Sequence, residues 1–170
     1  MIRPDRIGHI VLKVRSLERS RPFYTQLLGL EVMKELPEVK MLFLASNRRD
    51  HHEIALAEVG EHAGQPGAHD VGLAHFAFRL RSLEDLRDAY RELKEHNVPI
   101  SFTVNHGVTR SIYFLDPDGN QLEVYADNSP EEIASMSNPY FGLDKLEFAP
   151  DAPSMREAFE PMLARAGKPN

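Results

Sequence analysis

The sequence contains an internal repeat that relates its first half to its second. Residues 9–18 read HIVLKVRSLE and residues 75–84 read HFAFRLRSLE, so five of ten positions are identical at a constant offset of 66. Further identities, such as Tyr24 with Tyr90, continue to residue 98. Each copy places a histidine on an apolar, strand-like run that leads into a helix start. We therefore expect two related modules that together build one fold.

Both halves predict the same order of elements, which is a strand, a helix and three more strands. Ser16 and Ser82 stand at N-cap positions, where a hydroxyl accepts a hydrogen bond from the first helical turn. Asp118–Gly119 predicts a tight hairpin turn between the last two strands. The strand-like runs after the helices cover residues 30–36, 40–46, 52–59, 99–104, 111–116 and 120–126.

This order predicts an α+β fold of two tandem β-α-β-β-β modules. The first module covers residues 5–59, a linker rich in glycine and histidine covers 60–70, and the second module covers 71–127. Together they form one domain over residues 1–127 and leave residues 128–170 as a helical C-terminal tail.

The tail carries its own helix signals. Ser129–Glu132 and Ser154–Glu157 are capping boxes, in which a serine and a glutamate each satisfy a free backbone N–H of a helix start. Pro161 is expected to break or kink the second helix, because proline has no N–H to donate. The tail covers the domain, closes over a pocket or builds an oligomer contact, and the sequence leaves these three roles open.

Composition excludes several classes of function. The net charge of −6 and the lack of a Lys/Arg cluster argue against a nucleic-acid partner. Because the chain has no cysteine, it has no disulfide, thiolate metal site or cysteine nucleophile. No apolar run approaches the roughly 20 residues that span a membrane, and the first residues lack the layout of a signal peptide. We expect a soluble, cytoplasmic protein.

Two histidines and one glutamate form a candidate metal site. His9 and His75 lie on the two repeated strands, so a pseudo-twofold arrangement of the modules brings their imidazoles together. Glu123 alternates with Leu122 and Val124 and therefore points to the opposite face of its strand. Each histidine alone is more often a buried residue with an ordinary hydrogen bond. Together, two imidazoles and a carboxylate suit Fe(II), Zn(II), Mn(II) or Ni(II) with open coordination positions.

Three further residues are candidates for proton transfer or substrate contact. His52 lies where a loop becomes a strand, and its ordinary pKa of roughly 6.5 suits acid–base chemistry at neutral pH, although a solvated turn explains it as well. Tyr113 is either a core residue or a donor to a bound oxygen, and His106 precedes it in the same segment. We interpret three further histidines as solvated or structural; they are His62, His69 and His96. The role of His51 stays open, with a solvated position favoured.

The doubled module, with a histidine on each first strand and a glutamate on a last strand, resembles the vicinal oxygen chelate superfamily over residues 5–127. That superfamily includes glyoxalase I, fosfomycin-resistance transferases, methylmalonyl-CoA epimerases, metal-free drug-binding proteins and type I extradiol dioxygenases. The segment from Val104 to Glu123 is similar to the signature of the extradiol ring-cleavage dioxygenases. Its Asp116–Asn120 hairpin alone is weakly specific, because most of the superfamily carries a version of it.

The extradiol resemblance implies a role for each candidate residue. The implied ligands of Fe(II), with Mn(II) as the alternative metal, are His9, His75 and Glu123. The implied acid–base residue is His52, and the implied contacts to a catechol that is opened by O2 are His106 and Tyr113. The resemblance also implies aromatic hydrocarbon catabolism and a homo-oligomer. Many extradiol enzymes carry two such domains and this chain has one, which leaves its substrate range open.

Other members of the superfamily fit the sequence less well. Glyoxalase I and the epimerases need a second carboxylate on the last strand of the first module, where this chain has Ala55. A thiol transferase shares the three ligands but has no evident need for His52, His106 and Tyr113. A metal-free aromatic- or drug-binding protein has no need for the ligands. The transferase and the binding protein remain the alternatives to an Fe(II)-dependent extradiol dioxygenase.

Overall fold

The computed structural model of the chain describes residues 1–67, 70–140 and 142–166, with the backbone alone for residues 161–166. His69 of the predicted linker lies outside the described residues. The chain divides into two compact units, Met1–Gly72 and Leu73–Asn170. Within the described ranges, no helix combines the length and the apolar character that crossing a membrane requires.

The first unit has the predicted order of elements. In chain order these are β1 (Ile10–Val14), α1 (Leu17–Pro22), β2 (Glu31–Leu36), β3 (Met41–Ala45) and β4 (Ile54–Glu58). The strands form a sheet of order β1-β4-β3-β2, in which β1 and β4 run parallel and the other neighbours antiparallel. Ser16 caps α1 as predicted, because its Oγ accepts from Arg19 N at 3.3 Å.

The second unit repeats this topology. Its corresponding elements are β5 (Phe76–Arg79), α2 (Leu83–Glu95), β6 (Ile100–Asn105), β7 (Thr109–Leu115) and β8 (Gln121–Asp127). The sheet order is β5-β8-β7-β6, again with the first pair parallel. Ser82 caps α2 by accepting from Asp85 N at 3.1 Å. The predicted α+β fold of two β-α-β-β-β modules is therefore confirmed.

A proline makes the two module helices differ. Pro22 lacks an N–H, and after it the chain winds as a π-helical turn over Phe23–Leu27, in which Leu28 N donates to Phe23 O at 3.1 Å. The equivalent stretch of the second module has no proline and continues as regular α-helix to Glu95. Tyr24 and its repeat partner Tyr90 are nevertheless both buried.

The tail returns along the free edge of the second sheet. Thr103 N donates to Pro153 O at 2.8 Å and Asn105 N donates to Asp144 O at 2.7 Å, so the tail meets the outer side of β6 at two isolated bridges, to Asp144 and to Ser154. These contacts satisfy backbone groups that an edge strand otherwise leaves unpaired.

Both capping boxes of the tail are confirmed. Ser129 and Glu132 open α3 (Pro130–Ala134), and Ser154 and Glu157 open α4 (Met155–Ala166) with bonds of 2.6 and 3.1 Å. Helix α4 continues through Pro161, so the expected break there is wrong. A proline removes one helical hydrogen bond, and the capping box at the start of α4 offsets part of that loss.

Asp151 fastens the tail to α2. Its carboxylate accepts from Lys94 Nζ at 2.5 Å and from the Tyr90 hydroxyl. The bond from Lys94, followed by the bond from Tyr90, lowers the pKa of Asp151 to about 2. Burial, with a smaller effect of the Asp151 carboxylate, raises the pKa of Tyr90 to about 12.

Replacing Asp151 with asparagine is expected to destabilise the protein at neutral pH and to have little effect in acid. The folded carboxyl has a pKa of about 2 against an ordinary value of 3.8. Its ionised form therefore stabilises the fold above pH 3.8, and this contribution is lost as the pH falls through about 2. Urea unfolding of both proteins across this range measures the difference, with Asp5→Asn as control. If the difference in unfolding free energy between the two proteins did not change with pH, the stabilising role of the ionised Asp151 carboxylate would be wrong.

Candidate active site

One cross-strand row of the second unit carries most of the candidate residues. Ala77 pairs with Glu123, Glu123 with Tyr113 and Tyr113 with Phe102, so these side chains share one face of the sheet. His75 lies one residue before β5 and two residues before Ala77. It belongs to the same face, because side chains alternate along an extended chain.

His75 and Glu123 are brought together within this unit. His75 Nε2 lies 3.1 Å from Glu123 Oε2, and the Glu123 side chain is 9% exposed. A buried carboxylate needs cationic or donor partners. Two ligands held about 2.1 Å from a metal ion at right angles are about 3 Å apart, so this pair fits two cis positions of a divalent metal.

Tyr113 completes the polar group around Glu123. Burial, with smaller effects of the Glu123 charge and its hydrogen bond, raises the pKa of the Tyr113 phenol far above its ordinary value. The phenol O–H donates to the Glu123 carboxylate, and the raised pKa extends its protonated form to more alkaline pH. Its ring meets that of His75 edge to face, with centroids 5.1 Å apart.

Aromatic residues behind Tyr113 were not among the sequence candidates. Phe102 stacks on Tyr113 with centroids 4.3 Å apart and an interplanar angle of 22°. Phe159 of α4 meets Phe102 edge to face at 5.4 Å, and Met155 packs on the same cluster. No local pattern points to these residues, because the contacts join the tail to a strand more than fifty positions earlier.

His106 lies in the turn that joins β6 to β7. Its backbone N donates to Thr109 O at 2.8 Å and its carbonyl accepts from Gly142 N at 3.1 Å. Gly107 follows with a φ of 97°, a conformation that favours glycine. Asn128 also holds the turn, since its Nδ2 donates to Gly107 O at 2.8 Å. The side chain of His106 is half-buried, and its turn continues the strand that carries Phe102.

The candidate residues of the first unit form a separate cluster of rings. His9, one residue before β1, has its ring centroid 4.4 Å from that of His52. His51 Nδ1 and His52 Nδ1 are 2.5 Å apart, so one nitrogen carries the proton that the other accepts. Phe43 meets His52 edge to face at 4.9 Å. Burial, followed by His51 and His9, lowers the pKa of His52, which favours neutral imidazole at pH 7.

The loop that carries His51 and His52 is held from both sides. Glu53 Oε2 accepts from the N and Oγ of Ser46, both at 2.6 Å, and bridges the loop between β3 and β4. Arg6 donates to both carboxylate oxygens of Asp50, at 2.9 and 2.5 Å. The place of His51 beside His52 was not predicted, because adjacent histidines in a polar loop read as solvated residues.

The two modules differ at equivalent positions of their sheets. Val11 pairs with Ala55 and Ala55 with Phe43, just as Ala77 pairs with Glu123 and Glu123 with Tyr113. Ala55 and Phe43 are therefore the counterparts of Glu123 and Tyr113. The first module has no carboxylate where the second has Glu123, as the alignment of the repeat indicates.

The six predicted site residues thus fall into three groups. The structure brings together His75, Tyr113 and Glu123 in the second unit and His9 with His52 in the first, and it places His106 at a turn. In neither unit do three described His, Asp or Glu side chains converge to hold a metal ion. The assignment of His9, His75 and Glu123 as one ligand set stays a prediction.

The sequence matches one family model and several named proteins. The family model described as the glyoxalase/bleomycin resistance protein/dioxygenase superfamily matches residues 6–124. Biphenyl-2,3-diol 1,2-dioxygenase 3 of Rhodococcus globerulus is 38% identical over 136 residues, which cover 75% of this chain and 67% of that protein. Biphenyl-2,3-diol 1,2-dioxygenase 2 of the same organism is 33% identical over 147 residues, covering 84% and 75%.

More distant relatives include a different activity. Metallothiol transferase FosB of Staphylococcus haemolyticus is 27% identical over 135 residues, covering 75% of this chain and 88% of that protein. Among solved structures, a glyoxalase/dioxygenase from Nostoc punctiforme superposes with a TM-score of 0.62 at 23% identity, covering 76% of this chain and 97% of that one. At this identity the likeness concerns the fold alone.

Replacing Gly142 with alanine is expected to disturb the turn that carries His106. The added Cβ would run into the carbonyl oxygen of Asn105 and lie 2.8 Å from the carbonyl carbon of His106. We expect a loss of roughly 1–3 kcal/mol in the free energy of unfolding, measured by urea denaturation. Gly64→Ala is the matched control, since a Cβ there meets nothing within 4 Å. Equal stabilities of the two variants would argue against this close contact.

Proposed function

Since the chain belongs to the glyoxalase/bleomycin resistance protein/dioxygenase superfamily, we propose that it is an extradiol dioxygenase that opens the ring of a catechol with O2 at a mononuclear Fe(II) centre. The observation that carries this proposal is the contact of His75, Glu123 and Tyr113 on one face of the second sheet. The named biphenyl-2,3-diol dioxygenases support it through their sequence similarity.

In this proposal His75, Glu123 and, from the first unit, His9 hold the metal. When bound, Fe(II) supplies open positions where both oxygens of a catechol and O2 lie side by side, and it lowers the pKa of a coordinated hydroxyl. The buried carboxylate of Glu123 partly neutralises the metal charge. His75 fits a metal as neutral imidazole through Nε2, the atom that faces Glu123.

Tyr113 and His106 orient the substrate. The single O–H of Tyr113 donates to Glu123 in the absence of metal. With Glu123 engaged by the metal, the phenol would turn this hydrogen to a catechol oxygen and stabilise negative charge that develops there. His106 extends from the turn after β6, and we assign it a second contact to the substrate oxygens. Both groups favour the bound monoanion over free catechol.

In this proposal His52 is the acid–base residue that takes up the substrate proton. Its pKa is lowered by burial and by the neighbouring histidines, so the ring is neutral at pH 7 and ready to accept a proton from the second catechol hydroxyl. As an imidazolium it would then be able to return that proton to the ring-opened product. The Phe43 ring and the Glu53-braced loop restrict the imidazole to a small range of orientations.

A thiol transferase is the rival function, because FosB is among the relatives. It would share the metal ligands. The biphenyl-2,3-diol dioxygenases are nevertheless more similar, at 38% against 27% identity. A donor phenol beside the ligands also suits a catechol better than a thiol. Activity with Mn(II) and a thiol, without oxygen consumption, would favour the transferase.

The protein loaded anaerobically with Fe(II) is expected to consume oxygen when it receives a catechol. Catechol, 3-methylcatechol and 2,3-dihydroxybiphenyl are supplied in air, and an oxygen electrode and the absorbance of the yellow ring-opened product are followed together. One product should form for each O2 consumed. His75→Ala should lose iron and activity, whereas His96→Ala, at the exposed end of α2, should keep both. Oxygen uptake with none of the three catechols would rule out the proposal.

His52→Phe is expected to keep its iron and lose most of its turnover. The phenyl ring fills the same space beside His9 and Phe43 but carries no proton, so kcat should fall by about 10² or more. Iron content is measured by elemental analysis, and His62→Phe, in an exposed turn, is the matched control. If His52→Phe turned over at the wild-type rate, its role as the acid–base residue would be wrong.

A further inference from the structure

Helix α4 lies on the same sheet face as the candidate ligands. Phe102, Val104 and Tyr113 form a buried apolar cluster, and Met155 and Phe159 of α4 pack against it. Phe102 belongs to the row that includes Glu123, so α4 contacts the site face of the sheet. The matched family model ends at residue 124, which leaves this helix outside it.

Four aromatic rings connect α4 to the candidate ligands. Phe159 meets Phe102 at 5.4 Å, Phe102 stacks on Tyr113 at 4.3 Å, and Tyr113 meets His75 at 5.1 Å. The first and last contacts are edge to face, and the middle one is a near-parallel stack. Such contacts have preferred geometries, so a shift of one ring changes the favoured plane of the next.

The start of α4 is fixed independently of these rings. Pro153 O accepts from Thr103 N at 2.8 Å, and the Ser154–Glu157 capping box begins the helix directly afterwards. Upstream, Asp151 is bound by Lys94 and Tyr90 of α2. Hydrogen bonds therefore fix the segment directly before α4, and this places Phe159 over β6 in the second unit.

We propose that α4 is a positioning element of the candidate site, in which Phe159, acting through Phe102, fixes the ring of Tyr113 against His75 and Glu123. Tyr113 contacts the candidate ligands His75 and Glu123, whereas Phe102 and Phe159 act only through Tyr113. Removal of the Phe159 ring frees Phe102 to tilt, and the phenol loses its fixed direction toward Glu123. The ring geometry holds with or without iron, whereas its effect on turnover rests on the proposed function.

Fluorine NMR of metal-free protein tests the geometry directly. The five tyrosines are labelled as 3-fluorotyrosine, and Tyr113→Phe identifies the Tyr113 signal. We expect Phe159→Ala to shift and broaden this signal while the other four tyrosine signals stay in place. Phe159→Tyr keeps the ring and adds a sixth signal, which the Phe159→Tyr/Tyr113→Phe double variant identifies; its Tyr113 signal should return to the wild-type position. Glu160→Ala, an exposed neighbour on α4, is the matched control and should leave the Tyr113 signal unchanged.

A Tyr113 signal that is identical in wild-type protein and Phe159→Ala would overturn the proposal. If the alanine variant does not fold, Phe159→Leu replaces it, because leucine keeps apolar bulk but has no ring. The same shift is then expected, and its absence has the same meaning.

Steady-state kinetics separates this proposal from the proposed function. With catechol and the iron-loaded protein, Phe159→Ala should lower kcat about tenfold and change KM less than about twofold, because orientation and not binding is lost. Wild-type kcat in this variant would overturn the positioning role. No oxygen uptake by the wild type, together with a shifted Tyr113 signal, would reject the proposed function and leave the positioning role intact.

Discussion

The burial of the Glu123 carboxylate is the constraint on which the rest of the second unit depends. A buried charge is unfavourable unless donors or cations satisfy it. Glu123 has the His75 imidazole at 3.1 Å and the Tyr113 phenol as partners. Those partners hold the carboxylate, and burial together with the carboxylate raises the pKa of the phenol. A divalent metal would satisfy Glu123 more fully than either partner, since it adds a full opposing charge.

The same constraint explains why the repeated modules diverge. Their backbones match strand for strand, yet the row that carries Glu123 and Tyr113 in the second module carries Ala55 and Phe43 in the first. A second buried carboxylate would need a second set of partners. The first module instead presents the apolar ring of Phe43 to His52, and burial lowers the pKa of that imidazole. The second module thus buries a carboxylate with two polar partners, and the first module buries an imidazole beside an apolar ring.

The sequence predicted the features that local patterns encode. Short spacings indicated the order of helices and strands along the chain. They also indicated the N-caps at Ser16 and Ser82 and both capping boxes of the tail. The row shared by Glu123 and Tyr113 depends on register, and the hairpin at Asp118–Gly119 fixes that register. Contacts between distant segments were not predictable, because hydrophobic periodicity and secondary-structure propensity describe only neighbouring residues. The bridges from Asp144 and Ser154 to β6 and the ring contact between Phe102 and Phe159 are of this kind.

In the second unit, the same tail segment covers the free edge of β6 and leads into the helix that packs beside the candidate site. An unpaired β6 would leave backbone donors exposed, and the tail satisfies them through Pro153 and Asp144. The bridge to Thr103 lies at Ser154, the same residue whose hydroxyl begins the capping box of α4. That bridge therefore fixes where the helix starts on the face that carries Phe102 and Tyr113. Phe159 meets Phe102 as a consequence of where α4 starts, and so the anchoring of the N-cap at the sheet edge sets where an aromatic ring supports Tyr113.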